Sequence, residues 1–197
     1  MANENSKTPI VERRVMACSE LEVRDAEGEP PVLVGYAALF DERSEDLGGF
    51  VEQIAPGAFS GSVGGDIRAL INHNSNHVLG RTKSRTLRVE EDNRGLRIEV
   101  TPPDTGAARD LLESVRRGDI DQMSFGFRTK KDSWDEVDGT IVRTLLDVTL
   151  IEVSPVTFPA YPQTEIALRS MEAWQEENTP EPPDFTLRRR KLDLLEG

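Results

Sequence analysis

The sequence predicts a mainly β fold of the α+β class, in which a closed, mostly antiparallel β-barrel carries two or three helices on its outside. Segments with strand-like alternation of apolar and polar residues outnumber helical patterns by roughly three to one. Helical spacing of apolar residues occurs after Thr105 and after Thr164. Hydrophobic residues make up 37% of the 197 positions, which is typical of one globular domain.

The first strands are predicted to pair as a hairpin. Apolar residues alternate from Arg13 to Arg24, and a second apolar run, Val32 to Phe40, follows the turn signal EGEPP. A second hairpin is predicted within LRVEEDNRGLRIEV, where two alternating runs flank DNRG. Between the two hairpins, Pro56 and Gly57 indicate a turn into a short helix.

The following segment predicts a helix and then a long hairpin. Asp104 or Thr105 can cap the helix, and Gly118 can end it. A strand then starts at DQMSFGF, a polar hairpin tip follows at KKDSWDEVDGT, and a returning strand runs from Ile141 to Val153. A second helix from Thr164 would direct four apolar side chains inward: Ala167, Leu168, Met171 and Trp174.

The DQMSFGF strand has one bulky face and one nearly bare face. Side chains alternate along a strand, so Met123, Phe125 and Phe127 share one side while Ser124 and Gly126 share the other. We interpret the bulky side as core. The bare side would hold the Ser124 hydroxyl rigidly, with Gly126 leaving room for a substrate backbone to approach.

The chain divides into three predicted parts. Residues 1–11 are expected to be a flexible N-terminus, and residues 12–174 form the folded domain. Residues 175–197 begin with QEENTPEPPD, an acidic, Pro-containing run typical of a disordered linker, and end with the basic and then apolar FTLRRRKLDLLEG. This end is either a frayed tail or a docking or cleavable segment.

Composition excludes several partners. The 24 Lys and Arg against 36 Asp and Glu give a formal charge of -12, which repels nucleic acid and anionic lipid. The N-terminus lacks a secretion signal, and no run of about 18 apolar residues could span a membrane, so the chain is expected in the cytosol without a membrane partner. Cys18 is the single cysteine, so neither an internal disulfide nor a Cys-rich metal cage can form.

The two histidines limit the choice of a general base. A serine nucleophile needs a base within hydrogen-bond reach, and histidine is the usual one. His73 and His77 both lie in INHNSNHVLG; His73 directly follows an apolar strand, and His77 lies beyond a turn-forming run. His73 is therefore the better base. The alternatives are a surface histidine beside a turn, or a zinc site, which has no third ligand nearby.

A third group normally orients such a base. Asp147 and Glu152 interrupt the apolar strand LLDVTLIEVSPV, and their odd spacing places them on opposite faces of a regular strand. Glu152 is deeper in the apolar run and needs a partner, which could instead be a structural one such as Arg81 or Arg128. The candidate catalytic set is Ser124, His73 and Glu152, with no metal or cofactor.

Seven collinear segments resemble a known family. They are GYAALFD, EQIAPGAF, ALINHN, LGRT, RGLRIEV, LLESVRRGDIDQMSFGF and LIEVSPVTFPAYP, from about Val32 to Pro162. The chain resembles the prohead proteases of tailed bacteriophages, serine peptidases with a fold similar to herpesvirus assemblin. The resemblance places the base at His73, the nucleophile at Ser124 and the acid at Glu152. Arg81 matches a family position whose role is structural or lies in organising the oxyanion site.

The resemblance implies a serine endopeptidase of capsid maturation. It would work inside the procapsid, in the host cell cytoplasm, and cleave the major capsid protein or its scaffold region, and itself. Implied partners are these capsid components, the portal as a further candidate, and other copies of this chain. The alternative is a catalytically inactive scaffolding or capsid-interaction protein with the same barrel.

Overall fold

The computed structural model describes residues 11–16, 20–158 and 165–178. These residues form ten strands and two helices. The strands are β1 (Glu12–Met16), β2 (Glu22–Arg24), β3 (Val32–Leu39), β4 (Val51–Ile54), β5 (Arg68–Ile71), β6 (Asn74–Arg81), β7 (Leu87–Glu91), β8 (Gly95–Val100), β9 (Gln122–Val137) and β10 (Thr140–Val156); the helices are α1 (Gly106–Arg116) and α2 (Glu165–Asn178).

The strands form two sheets that share one core. The six-stranded sheet has the order β1-β9-β10-β5-β6, with β4 also paired to β10, and the four-stranded sheet has the order β2-β3-β8-β7. Strand β10 pairs in parallel with β4 and β5, and the other pairings are antiparallel. Both sheets contribute to the main apolar cluster, which includes Leu33, Ile98, Phe125 and Val153. The α+β class is therefore confirmed.

The prediction of a closed barrel is wrong for the residues that the structure describes. The segment from Arg13 to Arg24 is not one strand: β1 pairs with β9 in one sheet, and β2 pairs with β3 in the other. Only its second half forms the predicted hairpin with β3. The two sheets keep separate edges, and no ladder between the described strands joins them into a ring.

A buried ionic network holds β1 on the six-stranded sheet. Arg14 Nε lies 2.7 Å from Glu52 Oε1, and Arg143 Nη1 lies 2.8 Å from Glu12 Oε2 and 2.9 Å from Glu52 Oε2. Arg143 also donates to Asp132. Buried charges need such partners, since an unpaired one costs several kcal/mol. Strand β1 is therefore fixed by partners in β4, β9 and β10.

The predicted hairpins are present, with one of them longer than expected. Strands β7 and β8 pair as predicted. Strands β9 and β10 extend through the segment expected as a polar tip, and the turn is reduced to Asp138 and Gly139, both with positive φ. Packing explains the extension, because the Trp134 ring lies 5.0 Å from the Phe50 ring in a second apolar cluster.

Both predicted helices form. Thr105 caps α1 by accepting from the Ala108 N–H, and Gly118 follows its end with φ +77°. In α2, Ala167 is buried and packs with Leu168 and Met171 against the second apolar cluster. The short helix expected after Pro56 is wrong, because residues 56–64 form successive turns.

The three-part domain division stays a prediction. Helix α2 continues to Asn178, beyond position 175 where the tail was expected to begin. Cys18, residues 1–10 and residues 179–197 lie outside the described part of the chain.

Candidate active site

Strands β9 and β10 place Ser124 on the face opposite the core. Met123, Phe125 and Phe127 are fully buried in the main cluster, as predicted, and Ser124 lies between them on the other side. Ser124 is opposite Ser154 in β10, and Gly126 is opposite Glu152. Directly opposite residues share a face, so Ser124, Ser154 and Glu152 form one group. Ser124 is 0% exposed, so the bare face is not open to solvent at this point.

Irregularities in β10 decide which acid reaches this group. Leu150 is opposite Phe127 and Glu152 is opposite Gly126, so β10 has one residue more than β9 between these pairs. Such a bulge reverses the alternation and turns Glu152 to the Ser124 side. Asp147 lies among further register shifts, is half exposed, and has Lys130 Nζ at 3.4 Å from its Oδ1. The prediction from the odd spacing of Asp147 and Glu152 assumed a regular strand, and β10 is not regular.

A tight turn carries His73 to the same group. Asn72 and His73 are the two residues between β5 and β6, with φ of +51° and +58°. Two-residue turns with positive φ at both positions usually contain glycine, and a side chain there costs about 1–2 kcal/mol. The turn is held in place because the Asn72 N–H donates to the Pro155 carbonyl and the Asn72 amide exchanges hydrogen bonds with Thr157.

His73 contacts Glu152 directly. The imidazole Nδ1 lies 2.5 Å from Glu152 Oε1. Ser154 supports both partners, because its hydroxyl donates to Glu152 Oε2 at 2.6 Å and accepts from the His73 backbone N–H at 3.2 Å. An ionised carboxylate only accepts hydrogen bonds, so in a contact with one Nδ1 is the donor, and a neutral imidazole with its proton on Nδ1 has its lone pair on Nε2.

Three buried side-chain atoms lack a hydrogen-bond partner in the described part of the chain: His73 Nε2, Ser124 Oγ and Gln122 Oε1. Thus Ser124 and His73 are not hydrogen-bonded to each other. Buried polar atoms without a protein partner are rare in native proteins, and a catalytic role is one of the recognised reasons for them. Two of the three atoms are those that a nucleophile and its base would use.

Gly126 serves a different purpose from the one predicted. A Cβ at this position would lie 2.5 Å from Glu152 Oε1 and 3.1 Å from Glu152 Cγ. The carboxylate therefore occupies the space above Gly126, and the interpretation that this space admits a substrate backbone is wrong. The glycine is needed so that Glu152 can lie flat across β9 toward His73.

Arg81 does not pair with Glu152. Its guanidinium makes a two-pronged contact with Asp66, at 2.6 Å and 2.5 Å, and hydrogen bonding by this arginine lowers the pKa of the Asp66 carboxyl to about 2. A different arginine approaches the acid: Arg13 Nε lies 4.0 Å from Glu152 Oε1 and is half exposed. This approach follows from register, since Arg13 is opposite Gly126.

Sequence reasoning missed Ser154, Asn72 and Arg13. Ser154 could have been found from its spacing of two from Glu152, which puts both on one face of a strand. Arg13 could not, because the pairing of β1 with β9 has no local signal in the sequence. Asn72 gives a partial signal, since Asn tolerates positive φ.

His77 lies on β6 and not in the turn that carries His73. Strand β6 begins at Asn74, so the run between the two histidines is strand and not loop. His77 lines a groove of about 400 Å³ between α1 and the β5–β6 hairpin, together with Asn72, Asp110 and Leu111. Within the described ranges, no group of three or more His, Cys, Asp and Glu residues is arranged to hold a metal ion. Neither helix there has the length and apolar character needed to cross a membrane.

Ser–His–acid hydrolases combine a serine hydroxyl, an imidazole and a carboxylate. Here the imidazole and the carboxylate are paired, and the serine on the same face of the sheet as the carboxylate makes no hydrogen bond to the imidazole. Comparisons with known proteins agree with this class. The family model described as caudovirus prohead serine protease matches residues 19–177. The chain belongs to this family, and it is a protease of phage capsid maturation.

Two individual proteins illustrate the relationship. The chain is 30% identical over 162 residues to the prohead protease of Enterobacteria phage HK97. The aligned region covers 78% of this chain and 67% of that protein. The structure of the bacteriophage T4 capsid assembly protease, gp21, is similar with a TM-score of 0.51 and 10% identity, over 77% of this chain and 99% of the other. The T4 similarity concerns the fold alone.

Proposed function

We propose that the chain is a serine endopeptidase with Ser124 as nucleophile, His73 as general base and Glu152 as the orienting acid. The observation that carries this proposal is the His73–Glu152 contact, which leaves Nε2 unpaired and buried on the same face as the unpaired Ser124 hydroxyl. The proposed roles join three separate elements: β9, β10 and the β5–β6 turn.

The proposed reaction follows from these positions. Ser124 Oγ attacks the scissile carbonyl while His73 Nε2 takes its proton, and the C–N bond breaks as His73 returns that proton to the amine. Glu152 stabilises the imidazolium through Nδ1–H. A nucleophile and a base that are not hydrogen-bonded without substrate commonly come within hydrogen-bond reach when substrate binds. Water then hydrolyses the acyl-enzyme by the same proton route.

We further propose the substrates. By family, these are the major capsid protein or its scaffold region, and this chain itself, within the procapsid in the host cytoplasm. The portal is a further candidate partner, and self-association would accompany packing inside the shell.

Covalent labelling tests the catalytic set. A fluorophosphonate should modify Ser124, and His73→Ala should reduce the labelling rate by at least about a hundredfold, the usual contribution of a general base. Ser62→Ala is a matched control, since Ser62 is also buried and its hydroxyl bonds the backbone at Val148 and Leu150. Labelling of other serines with Ser124 unmodified would contradict the assignment.

The family match replaces the alternative of an inactive scaffolding protein with a narrower rival, a protease in which Ser124 is not the nucleophile, and one observation favours it. Ser124 is fully buried and has no hydrogen bond to His73. Under this reading, Ser124→Ala would leave processing of the chain and of co-expressed capsid protein unchanged. The endopeptidase proposal instead expects Ser124→Ala to yield a folded, unprocessed chain and an uncut capsid protein, as seen by mass spectrometry.

A further inference from the structure

Gln122 has a buried acceptor that the proposed reaction does not use. Its Oε1 is one of the three buried side-chain atoms without a partner among the described residues, and the other two belong to Ser124 and His73. An unpaired buried acceptor is unfavourable, because burial removes its hydrogen bonds to water and no protein donor replaces them. A donor brought by a ligand would remove this cost.

The position of Gln122 relates it to the nucleophile. Gln122 begins β9 and is two residues before Ser124, so the two side chains share a face. Along a strand, two residues span about 6.6 Å. Gln122 is opposite Val156, and Ser124 is opposite Ser154, so both lie on the side where β10 carries the Glu152 group.

An extended peptide has donors at a matching interval. Its backbone N–H groups repeat on one side every two residues, which is again about 6.6 Å. If the scissile carbonyl lies at Ser124, an N–H two residues along the peptide reaches the level of Gln122. Such a contact is independent of the side chains of the substrate.

We propose that Gln122 is a substrate-binding residue whose side-chain carbonyl accepts a backbone N–H of the peptide, two residues from the scissile bond. The inference rests on the proposed function, because it takes Ser124 as the reacting group. It assigns Gln122 to holding the peptide in register and not to activating the nucleophile.

Two readouts separate these roles. One is kcat/KM for an internally quenched peptide that spans a cleavage site mapped by mass spectrometry in this chain. The other is the rate at which a small alkyl fluorophosphonate, which has no backbone N–H, labels Ser124. Gln122→Leu should lower kcat/KM about tenfold or more while labelling stays within about twofold, since a lost hydrogen bond of about 1.4 kcal/mol is tenfold.

Two further variants sharpen the test. Gln122→Glu keeps an acceptor oxygen and should retain kcat/KM within about threefold, a loss of less than 1 kcal/mol. Gln53→Leu is the matched control: Gln53 is a half-buried glutamine on β4 whose amide bonds Thr144, and its loss should change neither readout. Melting temperatures of all variants show whether each is folded.

Several results would overturn the inference. Equal losses in cleavage and labelling for Gln122→Leu would mean that Gln122 acts on the nucleophile or on the fold. Unchanged cleavage would mean that it makes no contact with substrate, and a Gln122→Glu variant as poor as Gln122→Leu would mean that the amide N–H is the group used. Failure of the proposed function is distinct, because the unmodified enzyme would then neither cleave the peptide nor label at Ser124.

Discussion

At the scale of single residues, the site depends on the absence of a side chain at Gly126. Gly126→Ala should displace the Glu152 carboxylate, because the new Cβ would lie 2.5 Å from Oε1. The displaced acid no longer orients His73, and we expect labelling of Ser124 by a fluorophosphonate to slow by about tenfold or more, the range of effects of a misplaced catalytic group.

Gly64→Ala is the control for this variant. A Cβ on Gly64 meets nothing within 4 Å, and its φ is not in the left-handed region. It should label at the rate of the unmodified enzyme. A Gly126→Ala variant that labels as fast as this control would show that the carboxylate has room to move without loss.

Ser154 is expected to position the acid and the base without touching substrate. Ser154→Ala removes the donor to Glu152 Oε2 and the acceptor of the His73 N–H, so kcat should fall by about tenfold with KM little changed. Steady-state kinetics on the mapped peptide measure this split. Ser62→Ala is the control, because it also loses two buried hydrogen bonds but lies outside the proposed catalytic group. It should lower the melting temperature and leave kcat unchanged.

At the scale of elements, β1 is stabilised by charge. Glu12 and Arg14 alternate with Arg13 and Val15, so the charged pair points toward Glu52 and Arg143 while Arg13 points toward Glu152. One short strand thus contributes to the buried network with one face and to the candidate site with the other.

Glu12→Gln should destabilise the fold by about 3 kcal/mol, because breaking a buried ion pair leaves its partners uncompensated. Chemical denaturation at pH 7 measures this loss. Glu22→Gln removes an ion pair whose two side chains are both more than half exposed and should change the free energy of unfolding by less than about 1 kcal/mol. Similar losses in both variants would show that burial of the network contributes little.

The effect of Glu12 should depend on pH. Burial raises the pKa of its carboxyl, but hydrogen bonds and charge from Arg143, with Thr129 and Arg14, lower it overall. A group with a lowered folded pKa contributes stability that is present above its unfolded pKa and lost as the pH falls through the folded value. The difference in unfolding free energy between the unmodified chain and Glu12→Gln should therefore shrink below about pH 4.5. A constant difference down to pH 2 would contradict this origin.

Elements with local signals were predictable from the sequence, and long-range pairings were not. The β7–β8 hairpin, α1 with its Thr105 cap, and the burial of Met123, Phe125 and Phe127 follow from periodicity and turn chemistry. The split of the first strand between two sheets depends on Glu52 and Arg143, which are distant in sequence. The bulge in β10 likewise has no signal in the neighbouring sequence, although it determines that Glu152 and not Asp147 reaches His73.

At the scale of the whole molecule, the family match and the fold have different boundaries. The match begins at residue 19, whereas β1, at Glu12–Met16, is the edge of the six-stranded sheet and carries part of the buried network. The range of the family match alone would place β1 outside the domain. The structure makes it part of the sheet that contains Ser124.

Two truncated chains test whether β1 belongs to the working domain. A chain that starts at residue 11 keeps β1 and its ion pairs with Glu52 and Arg143, and it should melt and label with fluorophosphonate like the full chain. A chain that starts at residue 19, where the family match begins, loses Glu12 and Arg14 and leaves Arg143 and Glu52 with fewer partners in the interior. Losing the partners of a buried charge costs about 3–5 kcal/mol, a large part of the stability of a domain of this size. We expect the shorter chain to be mostly unfolded or to melt at least about 6 °C lower, since 1 kcal/mol corresponds to about 2–4 °C, and not to label at Ser124. Circular dichroism and labelling measure both effects, and a stable, reactive chain without β1 would show that the domain begins where the similarity does.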